Sequence, residues 1–213
     1  MKQFLNEYIN NDLKMSKKQL IGTLCLVISI SGVFGFVYEF IFYYFNSGMK
    51  TFYYRGGNFL PWINIYAYGA LLIILLTYRK RKKPIKVFLI SMIICGILEY
   101  FAGWLVTEVF HDVRCWSYNE EILNFGNING YVCLRSVTFF GLSGLMLIYG
   151  ILPAVFYLAQ KMNTNKFLII SVSICTIFLI DEIYNLIFTE LFKLPRASSI
   201  YKKRGIKYIY FKS

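Results

Sequence analysis

The chain has 213 residues, 57% of them hydrophobic and 19% aromatic, and a formal net charge of +12. Apolar residues at that level, gathered in long blocks, exclude an ordinary soluble domain and point to an integral membrane protein. The charge does not require nucleic acid, because basic loops beside apolar spans meet anionic lipid, and no Walker-type Gly-rich loop is present to make the chain an ATPase.

Residues 1–19 are polar, with Phe4, Leu5, Tyr8 and Ile9 spaced to share one face of a short interfacial helix. This polar run is too long for a signal n-region and no small-residue cleavage site follows the apolar stretch, so the first span is expected to stay in the mature protein. That span covers about 20–45. A link with Arg55, Gly56, Gly57 and Asn58 leads to a second span over 59–78, entered at Pro61, where a first turn tolerates proline. Arg79, Lys80, Arg81, Lys82, Lys83 and Lys86 crowd the next loop. The third span is read at 87–109, followed by a polar loop over 110–130. A fourth span over 131–159 carries Pro153 as a kink site, and a fifth covers 167–190. Each meets or approaches the roughly 20 residues that cross a hydrocarbon core. A basic, aromatic tail over 191–213 completes the chain, with Tyr201, Tyr208, Tyr210 and Phe211 suited to a surface-lying segment. The expected fold is an all-α integral membrane bundle of about five transmembrane helices.

The Lys and Arg distribution places the 79–86 loop and the N-terminus in the cytoplasm and the 110–130 loop outside. The 160–166 link, with Lys161 and Lys166, agrees; the basic tail does not, since five spans put it outside. Cys25, Cys95 and Cys175 read as packing residues, and no cysteine shows metal-ligand spacing. Cys115 and Cys133 flank the polar loop, which leaves a disulfide between them open.

Ionisable residues inside the spans carry most of the functional information. Glu39, Glu99, Arg135, Asp181 and Glu182 all lie in apolar segments. A charge at mid-membrane costs about 2.5–3.5 kcal/mol on insertion scales, so such groups are usually paired or part of a site. Gly32, Gly35 and Glu39 fall on one stripe of the first span, and Ser91, Cys95, Glu99 and Gly103 on one stripe of the third. Small neighbours place both glutamates at helix contacts rather than against lipid. Arg55 and Arg135 are the available counter-charges. A Glu99–Arg135 pair that only fixes packing and a lone protonated glutamate both remain open. Under the expected topology these groups belong to the exoplasmic half. They outline a buried polar cavity, with Arg55, Glu108, His111, Asp112 and Arg114 toward its mouth. His111 is the only histidine; beside it Asp112, Glu120 and Glu121 match no defined cation-site spacing. No nucleophile–base arrangement is visible, and no metal or cofactor is implied.

Several ordered elements carry a family resemblance. They are Gly35-Phe-Val-Tyr-Glu39, then Arg55-Gly56, then Pro61-Trp-Ile-Asn-Ile-Tyr-Ala-Tyr-Gly69. Leu98-Glu99-Tyr100 and Gly103-Trp104 follow, then Trp116-Ser-Tyr-Asn119 and Asn127-Ile-Asn-Gly130-Tyr-Val-Cys-Leu134. Over about residues 20–160 the chain resembles the bacterial family labelled putative ABC-transporter type IV, or putative ABC transporter permease. It departs from that pattern at Asn64, where a second Pro is expected, at Leu60 and Ala67, where Gly is expected, and at Ser117, where Asp is expected. The resemblance implies a multi-pass protein of the bacterial plasma membrane.

Residues and resemblance together give a permease-like subunit whose polar cavity binds a solute or headgroup. The site residues expected are Glu39, Arg55, Glu99, Trp116, Asn127, Arg135 and Asp181. Lacking a phosphate loop, such a subunit needs a separate ATPase, docked on the 79–86 loop or the 160–166 link. Other expected partners are membrane lipids and further copies of the chain. Two alternatives stand beside it. One is an envelope-lipid enzyme with Glu39, Glu99 and Asp112 as acid or base and Arg55 or Arg135 holding a phosphate. The other is an accessory membrane protein without transport activity.

Overall fold

A computed structural model describes residues 2–11, 13–109 and 116–207. Among these, helix is the only regular structure, apart from one isolated antiparallel bridge between Ile128 and Val132. The first helix, α1 (Lys2–Asn10), is short. Ser16 then starts α2 (Lys17–Asn46) with a capping box: its hydroxyl accepts from the Gln19 amide at 3.2 Å, and its own amide donates to Gln19 Oε1 at 3.0 Å. Helix α3 (Asn64–Thr77) has 14 residues. Pro84 opens α4 (Pro84–Val109), and α5 runs Leu134–Lys161. Asn163 accepts from the Asn165 and Lys166 amides to start α6 (Thr164–Leu191). A last helix, α7, spans Ala197–Lys203.

Among the described residues four helices, α2, α4, α5 and α6, are long and apolar enough to cross a membrane. Their outward faces are apolar: Leu89, Ile93, Ile97 and Phe101 of α4 and Ile169, Ile177, Ile180 and Leu186 of α6 are all exposed. A side chain facing hydrocarbon needs no polarity, so these faces are what lipid contact requires. The count differs from the expected five at α3. Its 14 residues rise only about 21 Å, short of the roughly 30 Å hydrocarbon core. The reason is local. Residues 59–63 are not helical; instead they fold against α2 and α6. The Ile63 amide donates to the Gly32 carbonyl at 3.0 Å, and the Phe59 and Leu60 amides donate to Asp181. Glycines on α2 allow this approach: a Cβ at Gly32 would lie 2.0 Å from Trp62 Nε1, and one at Gly35 would lie 2.2 Å from Tyr66 Cγ.

Among the described residues a π turn closes α4 at Leu105–Val109, and two more interrupt α5 and α6 at Leu147–Ile151 and Tyr184–Phe188. The second adjoins Pro153, which has no N–H to return to the preceding turn. The Ile148 carbonyl there accepts the Tyr8 hydroxyl at 2.8 Å instead. Tyr8 is fully buried, and Phe4, Leu5 and Ile9 pack beside it on a core that includes Ile148, Leu152, Phe156 and Phe167. The shared face expected of Phe4, Leu5, Tyr8 and Ile9 is therefore the face that α1 packs on the bundle. Arg81 secures it. Its Nε donates to the Tyr8 carbonyl at 2.7 Å, Nη2 to the Asn11 carbonyl at 2.8 Å and Nη1 to the Tyr78 carbonyl at 3.0 Å. Thus one member of the basic loop points inward, while Arg79, Lys80, Lys82, Lys83 and Lys86 remain exposed.

Candidate functional site

At the opposite end, residues 116–133 fold into a cap over the bundle. The Tyr118 amide donates to the Gly130 carbonyl at 3.0 Å and the Ile128 amide to the Val132 carbonyl at 2.9 Å. Trp116 Nε1 donates to the Tyr131 carbonyl at 3.0 Å, and the Gly130 amide to Asn127 Oδ1 at 2.8 Å. Trp116 and Asn127 shape the cap from within. The cap's own polar side chains, Tyr118 and Glu121, turn down into the helices and are buried.

There they complete a network that links five segments: α2, the link that carries Arg55, α4, the cap and α5. Arg55 Nε donates to Glu39 Oε2 at 2.7 Å, and the Arg55 guanidinium lies 4.0 Å above the Tyr43 ring. The Tyr43 hydroxyl donates to Glu121 in a very short bond. Arg135 Nη2 donates to the other oxygen of Glu121 at 2.6 Å, and its guanidinium lies 4.3 Å from the Phe42 ring and 5.3 Å from the Tyr118 ring. The Tyr118 hydroxyl donates to Glu99 Oε1 at 2.6 Å, and Ser136 donates to Glu99 Oε2 at 2.8 Å. Arg55, Glu99 and Glu121 are each 6% exposed. Buried charge on this scale needs such pairing, since each unpaired ion would carry a desolvation penalty of several kcal/mol.

Three carboxylates and two guanidiniums thus meet in one buried run. Burial pushes the Glu121 carboxyl above its ordinary value, against the opposing pull of the Tyr43 hydroxyl and Arg135. Burial also raises the Tyr118 phenol well above its ordinary value, reinforced by the charges of Glu99 and Glu121. Below the network, Glu99 also lines a small cavity of about 40 Å³ with Ser31, Phe34, Tyr66, Cys95 and Phe140. The walls are mainly apolar.

Four of the expected site residues, Glu39, Arg55, Glu99 and Arg135, come together here. Arg55 is a counter-charge as expected and pairs with Glu39, but Arg135 pairs with Glu121 rather than Glu99, because the cap delivers Glu121 to it. Glu121, Tyr43, Tyr118 and Ser136 were missed as members. Glu121 stands beside Glu120 in a loop without periodicity, so only the folded cap distinguishes the inward glutamate from the outward one. Asp181 lies in a separate cluster. It accepts from the Phe59 amide at 3.0 Å, the Leu60 amide at 2.7 Å and Asn185 Nδ2 at 2.8 Å. Beside it Glu182 accepts from Asn64 at 3.0 Å and from Tyr68. Glu108 accepts from the Tyr131 hydroxyl at 2.6 Å. His111, Asp112, Arg114, Cys115, and with it the Cys115–Cys133 disulfide left open by the sequence, and the tail aromatics Tyr208, Tyr210 and Phe211 lie outside the described residues. Among the described residues no group of His, Cys, Asp and Glu is arranged to hold a metal ion.

The family described as "Putative ABC-transporter type IV" matches residues 25–186, which include the cap, the network and the Asp181 cluster. No curated protein and no solved structure matches the chain.

Proposed function

The chain belongs to the family described as "Putative ABC-transporter type IV", and from that premise we propose that it is a permease-like membrane subunit whose capped charge network is the gate and binding element for a polar solute or lipid headgroup. The observation that carries this reading is the continuous run from Glu39 through Arg55, Tyr43, Glu121, Arg135 and Tyr118 to Glu99. A bundle held only by packing gains little from buried ions, because apolar side chains of similar volume do as well or better. A gate benefits from them. Charges of both signs can exchange one set of partners for another as a ligand's charged groups enter, without leaving either sign unpaired.

The same reading gives the stretch around α3 a fifth passage through the bundle. Helix α2 ends at Asn46 toward the cap, while α4 begins at Pro84 next to Arg81 and the α1 end. The chain between them has to return from one end to the other. Non-helical backbone at residues 59–63 suits a passage of this kind, because its amides are paired inside the protein rather than exposed to lipid. The α1 end, with its exposed lysines, is then cytoplasmic, in the plasma membrane of a bacterium. The cap is exoplasmic. Arg79, Lys80, Lys82, Lys83 and Lys86 form the docking surface for a separate ATPase.

A pull-down of the tagged chain from its native membrane in mild detergent tests this. A stoichiometric ATPase, lost when those five basic residues are neutralised, is the expected result. A chain that arrives alone with one enriched lipid moves the assignment to lipid binding. Uptake unchanged by Glu99→Gln removes the network from the mechanism.

A further inference from the structure

The cap is built inside out for a loop in water. Tyr118 and Glu121 point into the bundle, while Ile122, Leu123, Phe125 and Ile128 point away from it at 51%, 62%, 56% and 55% exposure. Leu123 is held at φ +55°, a left-handed conformation that apolar L-residues rarely adopt. The same habit recurs where α2 ends, with Phe45, Met49 and Phe52 exposed and Met49 at φ +59°. Polar groups sit among the apolar ones, since Asn119, Glu120 and Asn129 are exposed on the same loop. The face is continuous with a helix long enough to cross a membrane. The Leu134 amide, at the first residue of α5, donates to the Phe125 carbonyl at 3.1 Å, and Leu134 itself is exposed.

We propose that the outward face of the cap, formed by Ile122, Leu123, Phe125 and Ile128, is seated in the interfacial layer of the bilayer, so that the lid over the charge network is anchored in lipid. An apolar side-chain cluster mixed with amides suits the boundary between headgroups and acyl chains. Exposed in water, the same cluster would be an aggregation hazard. The inference rests on the membrane-crossing helices and not on the permease reading, and it survives if the ligand proves to be something other than a transported solute.

The test is fluorescence of Phe125→Trp and Ile128→Trp in nanodiscs of phosphatidylcholine and phosphatidylglycerol, each read as a difference from the parent, whose Trp62, Trp104 and Trp116 are common to all. The added emission is expected to be blue-shifted, to be largely lost when the acyl chains are brominated close to the headgroup, and to be retained in aqueous iodide. Emission quenched by iodide and indifferent to bromination puts the face in water and overturns the proposal. Emission shielded from both quenchers means that protein, such as a second copy of the chain, covers the face, which also overturns it. The two positions are independent, so one variant that fails to fold leaves the other to decide.

Discussion

Arg135 Nη2 and Glu121 Oε2 meet at 2.6 Å, joining a residue near the start of α5 to one carried by the cap. The glutamate side chain of this pair is only 2% exposed and the arginine 15%. Removing one member strands the other in a buried site, which is strongly destabilising, at about 3–5 kcal/mol. Glu121→Ala and Arg135→Ala are each expected to lose stability on that scale in a denaturant titration in mild detergent. Their double variant should lose far less than the sum. A cycle between Glu99→Ala and Arg135→Ala should show a smaller coupling, since those two meet only through Tyr118. Equal couplings in the two cycles would mean that the cap does not select the partner of Arg135.

The raised Glu121 carboxyl gives the closed cap a pH dependence of known sign. Folded Glu121 holds its proton at a higher pH than the unfolded residue does. Between those two values the folded cap binds more protons than the open one, so stability falls as pH rises. The contribution is fully present below the ordinary carboxylate value and is lost through the raised one. Arg135 and the Tyr43 hydroxyl oppose the shift, while burial dominates it. Amide exchange of residues 116–133 should therefore quicken as pH is raised through this window, after correction for intrinsic exchange rates. Glu121→Gln should flatten that dependence; a profile unchanged in the variant would assign the titration to another group.

Much of this arrangement is legible in the sequence, and the part that is not has a physical cause. Apolar block length shows an all-helical membrane bundle, and the Gly32–Gly35–Glu39 stripe places Glu39 on a buried face because helical spacing is regular. Pro153 marks the break in α5. The partners of Arg135 and Glu99 are not legible, because the cap that supplies Glu121 and Tyr118 has no period. The length of α3 is not legible either. Phe59, Leu60 and Trp62 are as apolar as any helix, and partners far away in the chain hold their backbone out of one: Asp181 for the Phe59 and Leu60 amides, the Gly32 carbonyl for the Ile63 amide and Tyr201 for the Phe59 carbonyl. Arg81 looks like its basic neighbours; its inward turn depends on carbonyls that α1 delivers.

Asp181 acts on backbone rather than on charge, and that can be measured. Asp181→Ala leaves the half-buried Phe59 and Leu60 amides without acceptors, at up to about 1–3 kcal/mol for each unsatisfied group. The expected outcome is a marked fall in thermal stability together with new protease cleavage near residues 56–63. Asp181→Asn keeps one acceptor oxygen and should fall about half as far. If the two variants behave alike, the negative charge rather than the amide bonding is what the site requires.

Arg81 provides the sharpest test of how α1 is held. A nine-residue helix is too short to persist in water without tertiary support. Arg81→Ala removes the donors to Tyr8, Asn11 and Tyr78 carbonyls at once, along with the guanidinium stacked 4.3 Å from the Tyr78 ring. Amide exchange across residues 3–11 should then approach that of an unprotected peptide, with α2, α4 and α6 unchanged. Arg81→Lys should fail to restore protection, because one ammonium cannot reach three carbonyls that a planar fork reaches together. Tyr8→Phe, which removes only the bond to the Ile148 carbonyl, should give an intermediate loss. Lys82→Ala, at an exposed position in the same loop, should change nothing. Protection of α1 that survives Arg81→Ala would show that the apolar contacts of Phe4, Leu5, Tyr8 and Ile9 suffice without the arginine.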